Sequence, residues 1–269
     1  MKTIITPESS KKLNIRELYH YKDLFFTLAW RDLKVRYAQT FLGLLWAVIQ
    51  PLVTLLIFTL IFGKAIEVDT GTIPYPVYAL AGMSAWAYFS FVMSQSGGSI
   101  IASGEMVKKI YFPRLIIPLS KALVALVDFL VTITLLLILM VYYKVPIGSE
   151  LLWFPLFLIL NIMTALGVGI WLSALTIRYR DFQHVVPFMV QIGLYATPIA
   201  YPVSLVPENY QFLYHLNPMA GIVEGFRYSL FSNESLPEMA YVSFLVALII
   251  FISSLIYFKR MERSMADLV

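Results

Sequence analysis

The stretch LSKALVALVDFLVTITLLLILMVYY, residues 119–143, is built to cross a lipid bilayer. It is 25 residues long and carries two charges, Lys121 and Asp128, both in its first half. A helix rises about 1.5 Å per residue, so roughly 20 apolar residues span a hydrocarbon core of about 30 Å. The rest of the chain agrees with this stretch. Hydrophobic residues make up 59% of the 269 and charged residues 13%, against about 45–50% and about 25% in soluble domains; the mean hydropathy is +0.77. A soluble protein of this size has too large a surface shell to hide so much apolar area. Cysteine is absent, which excludes a disulfide framework, an all-cysteine metal site and a thiol nucleophile.

The expected fold is all-α: a polytopic integral membrane protein with six transmembrane helices at 41–63, 75–97, 119–143, 151–177, 185–201 and 240–258. The fifth is the weakest, because it contains Pro187 and Pro198 and is followed by Pro202. Proline removes a backbone donor and kinks or ends a helix, so a bent or broken span is expected there. Residues 1–40 form a cytoplasmic N-terminus and 259–269 a cytoplasmic tail. No short apolar run with a small-residue cleavage site occurs in residues 1–40, so no signal peptide is expected.

Charge placement orients these spans. Sixteen of the twenty Lys and Arg fall on one side. They are Lys2, Lys11, Lys12, Arg16, Lys22, Arg31, Lys34 and Arg36 before the first span, Lys108, Lys109 and Arg114 in the second loop, Arg178 and Arg180 in the fourth, and Lys259, Arg260 and Arg263 in the tail. Only Lys64, Lys144 and Arg227 fall on the other side. The positive-inside rule then makes both termini cytoplasmic. The formal net charge of +4 conceals an inner surplus and an outer deficit; it orients a membrane protein and gives no support for nucleic-acid binding.

Residues 16–37 are too charged to span. On a helical wheel His20, Asp23, Thr27, Arg31 and Lys34 share a narrow polar arc, with Leu18, Tyr21, Leu24, Phe25, Leu28, Ala29 and Val35 opposite. That pattern predicts an amphipathic helix lying in the membrane interface. Two readings follow: a membrane-surface anchor and nothing more, or an anchor whose polar arc also receives a cytoplasmic partner. The inner loops are short: SGEMVKKIYFPR at 103–114 leaves room for about two helical turns between its glycine and proline, and IRYRDFQH runs over 177–184. Outside, residues 202–239 contain an apolar stretch, 216–231, too short and interrupted to cross. Two short re-entrant helices in the outer leaflet are expected there, with Glu224 and Arg227 paired at i,i+3.

No phosphate-binding loop of the form GxxxxGK[ST] occurs, so nucleotide hydrolysis by the usual route is not expected of this chain. His20, His184 and His215 have no metal-ligand spacing, and no metal site is expected. Gln50, Lys121 and Asp128 are the candidate functional polar groups within or beside the spans. Charge at that depth costs about 2.5–3.5 kcal/mol at the helix centre and marks function by default, although Lys121 is near enough to the cytoplasmic end to snorkel and Asp128 could serve helix packing. Ala165, Gly169 and Ser173 form a small-residue ridge suited to close helix packing. Tyr75, Trp86 and Tyr143 read as interface anchors. Trp46, Tyr88, Phe91 and Tyr195 lie deeper and are candidates either for lining a pathway or for ordinary packing.

Five strings, in order, resemble the membrane subunits of type-2 ABC exporters of polysaccharide: RDLKVRYAQTFLGLLW at 31–46 with Gln50-Pro51-Leu52 after it, YFPR at 111–114, YRDFQHVVP at 179–187, TPIAYP at 197–202 and LNPM at 216–219. The resemblance covers roughly residues 16–263. It implies a bacterial inner-membrane permease that exports lipid-linked glycan of the O-antigen, capsule or teichoic acid type. The implied partners are a second copy of the chain, two ATP-binding subunits that hold ATP and Mg, and membrane lipids. By the same resemblance Glu105, Met106, Val107, Lys108, Lys109 and Ile110 form a coupling helix on the ATPase, with Arg178, Arg180 and Asp181 as further contacts. Export of a drug or simple lipid, and a secondary transporter using Asp128, are the alternatives.

Overall fold

The computed structural model describes residues 15–38, 42–231, 236–262 and 265. Lys2, Lys11, Lys12, Arg263 and Glu234 lie outside the described residues, as do residues 39–41 of the first resembling string and most of the tail 259–269. The described chain is helical, in the order α1 (Ile15–His20), α2 (Lys22–Tyr37), α3 (Leu45–Phe58, continuing as a wider π-helical turn Thr59–Ala65), α4 (Tyr75–Ala102), α5 (Gly104–Lys109), α6 (Ile116–Tyr142), α7 (Phe154–Arg178, led in by a 3₁₀ turn Ser149–Trp153), α8 (Phe182–Ala196), α9 (Glu208–His215), α10 (Pro218–Leu230) and α11 (Ala240–Met261).

Among the described residues five segments are long and apolar enough to cross a bilayer: Leu45–Ala65, Tyr75–Ala102, Ile116–Tyr142, Ser149–Arg178 and Ala240–Met261. The span expected at 185–201 differs. Its helix has 15 residues, about 22 Å of rise, short of a hydrocarbon core. Pro187 sits inside this helix without ending it; the break comes at Thr197, whose φ of −109° and ψ of 143° are extended. Thr197 precedes Pro198, and the residue before a proline is pushed out of the helical region.

The short helix nevertheless belongs to a segment that runs the length of the bundle. A Cβ placed on Gly97 of α4 would lie 3.6 Å from Val186 at the start of α8, and one on Gly193 would lie 2.4 Å from the Trp86 ring. A Cβ on Gly82 would lie 3.2 Å from Ile199, beyond the helix. The Tyr75 hydroxyl at the head of α4 donates to the Ala200 carbonyl at 3.1 Å. Helix plus extended tail therefore follow α4 antiparallel from its last turns to its first residue.

α4 is the centre of the molecule, with 19 of its 28 residues buried. The small-residue ridge of α7 packs on it as expected, with Ala165 and Ser173 fully buried and Gly169 so close that a Cβ there would meet the Ser96 Cβ at 2.7 Å. α3 is the opposite case: Leu55 is its one buried residue, and Leu52, Val53, Leu56 and Ile57 are all exposed. The outer segment forms the two expected short helices. Eleven of the 13 residues of α10 are buried, so α10 is sheathed in protein rather than lipid.

The N-terminal amphipathic element is two helices, broken at Tyr21. His20, Asp23, Thr27, Arg31 and Lys34 are exposed as the wheel predicts. On the other face only Leu28 and Ala29 are buried, and Phe26, Trp30 and Val35 remain open.

Candidate functional site

A groove of about 600 Å³ lies between α2, α3, α4, α6 and α8. α3 contributes Trp46, Gln50, Pro51 and Thr54, spaced so that one helix face looks inward. α4 contributes Trp86, Tyr88, Ser90, Phe91, Ser94 and Gln95, α6 contributes Asp128 and Thr132, and α8 contributes Val190 and Leu194. Aromatic rings thus alternate with amides and hydroxyls around one cavity. Of the expected lining residues, Trp46, Tyr88 and Phe91 are brought together here, with Gln50 and Asp128 beside them.

Tyr195 is not among them. Val190 and Leu194, four residues apart, hold the groove side of α8, and the next residue turns about 100° away; Tyr195 is 65% exposed on the outside. Tyr88 lies in the wall of the groove but is almost wholly buried, its hydroxyl donating to the Ala122 carbonyl at 3.2 Å. Trp86 is no interface anchor: it lies in the middle of α4, buried, and lines both this groove and a second, mostly apolar one of about 510 Å³ on the other side of α8.

The groove closes toward α2 through two ion pairs of opposite sense. Asp32 of α2 binds Lys121 of α6. One turn later Arg36 Nη2 lies 2.6 Å from Asp128 Oδ2, and Tyr37 donates its hydroxyl to the other oxygen of Asp128. The Arg36 guanidinium also lies 4.3 Å from the Phe91 ring centroid. Both carboxylate oxygens of Asp128 are thus engaged. Burial works to raise the Asp32 carboxyl, but the hydrogen bonds and charges of Lys121 and Arg31 outweigh it and hold it below its usual range. Asp32, Arg36 and Tyr37 were not singled out by sequence. The i,i+4 spacing of Asp32 and Arg36 with opposite charges was the available signal, yet it reads equally as a solvated face.

At the opposite end of α4 from Tyr75, α5 stands beside the α7–α8 turn. Glu105, Lys108 and Arg180 share a cleft of about 240 Å³ with Gly104 and Ile177. Glu105 pairs with Lys109 at 2.8 Å, largely in solvent, where such pairs contribute little. Val107 is the buried contact that seats α5; Met106 is partly covered, while Ile110, Arg178 and Asp181 are open. At the far end Arg227 is fully buried, bonded to Glu224 at 2.9 Å as the i,i+3 spacing suggested, and to the Ile199 carbonyl at 2.9 Å. Its guanidinium lies 3.6 Å from the Tyr78 ring centroid, joining α10, α4 and the extended tail of α8.

The chain is thus a helical bundle with five helices able to cross a membrane, a groove beside its central helix and short basic elements gathered at one end. The ABC-2 type transporter family matches residues 23–231, and the chain belongs to it. The resemblance drawn from the sequence strings is thereby borne out. Similar proteins include an O-antigen export system permease protein of Klebsiella pneumoniae, 31% identical over 96% of this chain and 98% of the relative. Another of the same name from Myxococcus xanthus is 28% identical over 92% of this chain and 96% of its own length. The polysialic acid transport protein KpsM of Escherichia coli is 25% identical over 72% and 76%.

Proposed function

We propose that this chain is the permease subunit of an ATP-driven exporter that carries lipid-linked polysaccharide of the O-antigen, capsule or teichoic acid type across a bacterial cytoplasmic membrane. The observation that carries this reading is the groove. Trp46 and Phe91 offer flat apolar faces above the buried rings of Trp86 and Tyr88, and Gln50, Gln95, Ser90, Ser94 and Thr54 offer hydrogen bonds between them. Sugar rings present the same mixture, apolar faces edged by hydroxyls. A long polymer requires many weak contacts rather than one deep charged pocket, and this surface supplies them.

The chain works as a pair with a second copy, beside two ATP-binding subunits that hold ATP and Mg and supply the hydrolysis. Glu105–Ile110 and the turn bearing Arg178, Arg180 and Asp181 form the seat for that partner, a role supported by their clustering at the basic end of the bundle. Both termini are cytoplasmic and the membrane is crossed six times. The fifth crossing, in addition to the five long helices, is the segment 182–200, as its course along α4 supports. An ion relay through Asp128 is disfavoured because Arg36 and Tyr37 already engage that carboxylate. Deleting the gene and complementing it in trans tests the function. Surface polysaccharide should vanish while lipid-linked glycan accumulates on the inner leaflet; unchanged surface polysaccharide would refute the proposal.

A further inference from the structure

The six residues between α5 and α6 are gripped from two sides by parts of the chain remote in sequence. On one side the Tyr21 hydroxyl donates to the Tyr111 carbonyl and the Tyr111 hydroxyl to Glu17, both at 3.4 Å. On the other, Glu262 just past α11 accepts from the Arg114 backbone N–H at 3.1 Å and from Lys259 Nζ at 2.6 Å. The Arg114 guanidinium in turn donates to the Glu262 carbonyl, capping α11 from 148 residues away in sequence.

Helix stability does not account for Glu262. A carboxylate at a helix C-terminus opposes the macrodipole, an effect the i,i+3 pair with Lys259 offsets only in part. The placement makes sense as a cross-link. The carboxylate reaches over the end of α11 to an amide that would otherwise face out of the loop, and the guanidinium of that same residue returns the bond. Hydrogen bonds with a charged partner are about twice as strong as neutral ones, and Arg114 and Glu262 are both partly shielded from water, the Glu262 side chain being about one-fifth exposed.

We propose that Arg114 and Glu262 form a clasp through which displacement of α5 is passed to α11, making Glu262 a positioning residue for energy coupling. This rests on the reading of α5 as the seat of an ATP-binding subunit. Without the clasp, α5 would still move α6 through the chain, but α11 would lag and hydrolysis would run partly idle.

The absence of cysteine from the chain makes the clasp directly testable. The double variant Arg114→Cys, Glu262→Cys in the full complex should co-purify with its ATP-binding subunit and hydrolyse ATP as wild type does. It should export about tenfold less glycan per ATP, the factor set by losing a charge-assisted hydrogen bond. A short reversible thiol cross-linker should restore the ratio, and a reductant should abolish it again. Wild-type export per ATP in the untreated variant, or no recovery on cross-linking, overturns the proposal. Should the double variant not accumulate, Glu262→Ala, which removes the acceptor for the Arg114 amide, must show the same uncoupling while Glu262→Gln, which keeps it, stays coupled; equal loss of hydrolysis and export overturns the clasp. Failure of the ATPase reading itself is seen separately, as absence of ATP-dependent export by the wild-type complex.

Discussion

Arg36 and Asp128 illustrate how single residues define the groove. Each is partly open to the cavity, and the guanidinium spans from the carboxylate to the face of Phe91. Removing either partner leaves the other charge half-desolvated, so Arg36→Ala and Asp128→Ala should each destabilise the chain, while the double variant should cost less than their sum. Coupling of about 0.5–3 kcal/mol is expected for such neighbours; additive thermal shifts in detergent would show that the pair does not bind α2 to α6. Sequence disclosed Asp128 and Lys121 because charge inside an apolar run is conspicuous. It did not disclose Asp32, Arg36 or Tyr37, because their partners lie about 90 residues away and a charged amphipathic helix already explains an exposed Asp and Arg. The same limit hid Glu262, while Glu224 and Arg227 were legible because their pairing is local.

At the scale of elements, α10 is the most tightly fitted of the short helices. A Cβ on Gly225 would lie 2.3 Å from the Phe157 ring, and Phe157 is itself buried, with no space to swing into. Gly225→Ala gains up to about 1 kcal/mol of helix propensity but forces an overpacked contact worth about 1–3 kcal/mol. A net loss near 1 kcal/mol is expected, read as a lower unfolding midpoint; a midpoint at or above wild type would contradict this packing. Five of the spans were legible as apolar runs, and the ends of α8 were not. The apolar run continues to Tyr201, but Pro198 sets the backbone of Thr197 and ends the helix at Ala196. Hydropathy registers depth, whereas the proline restriction governs backbone shape, and the second prevails where they disagree. The break at Tyr21 had no comparable signal: it falls where Tyr21 turns to reach the Tyr111 carbonyl, a contact between residues 90 apart.

The whole molecule is polarised. Basic loops, α5 and the end of α11 gather at one end of α4, and the buried Arg227 junction with the extended tail of α8 closes the other. Between them α8 separates two cavities that share Trp86. If the basic end receives the ATP-binding subunit, then Lys108→Glu with Lys109→Glu should leave folding intact, since both side chains are exposed, and should lower stimulated ATP hydrolysis and export together. Unchanged hydrolysis and export would remove α5 from the coupling surface. The central claim is that glycan passes along the groove. Photo-reactive side chains placed singly at Trp46, Phe91 and, as a control, the outward-facing Ile249 of α11 (55% exposed) would be irradiated during ATP turnover and probed for attached glycan. The account expects glycan adducts at positions 46 and 91 and none at 249; equal labelling at all three, or labelling at 249 alone, would contradict it.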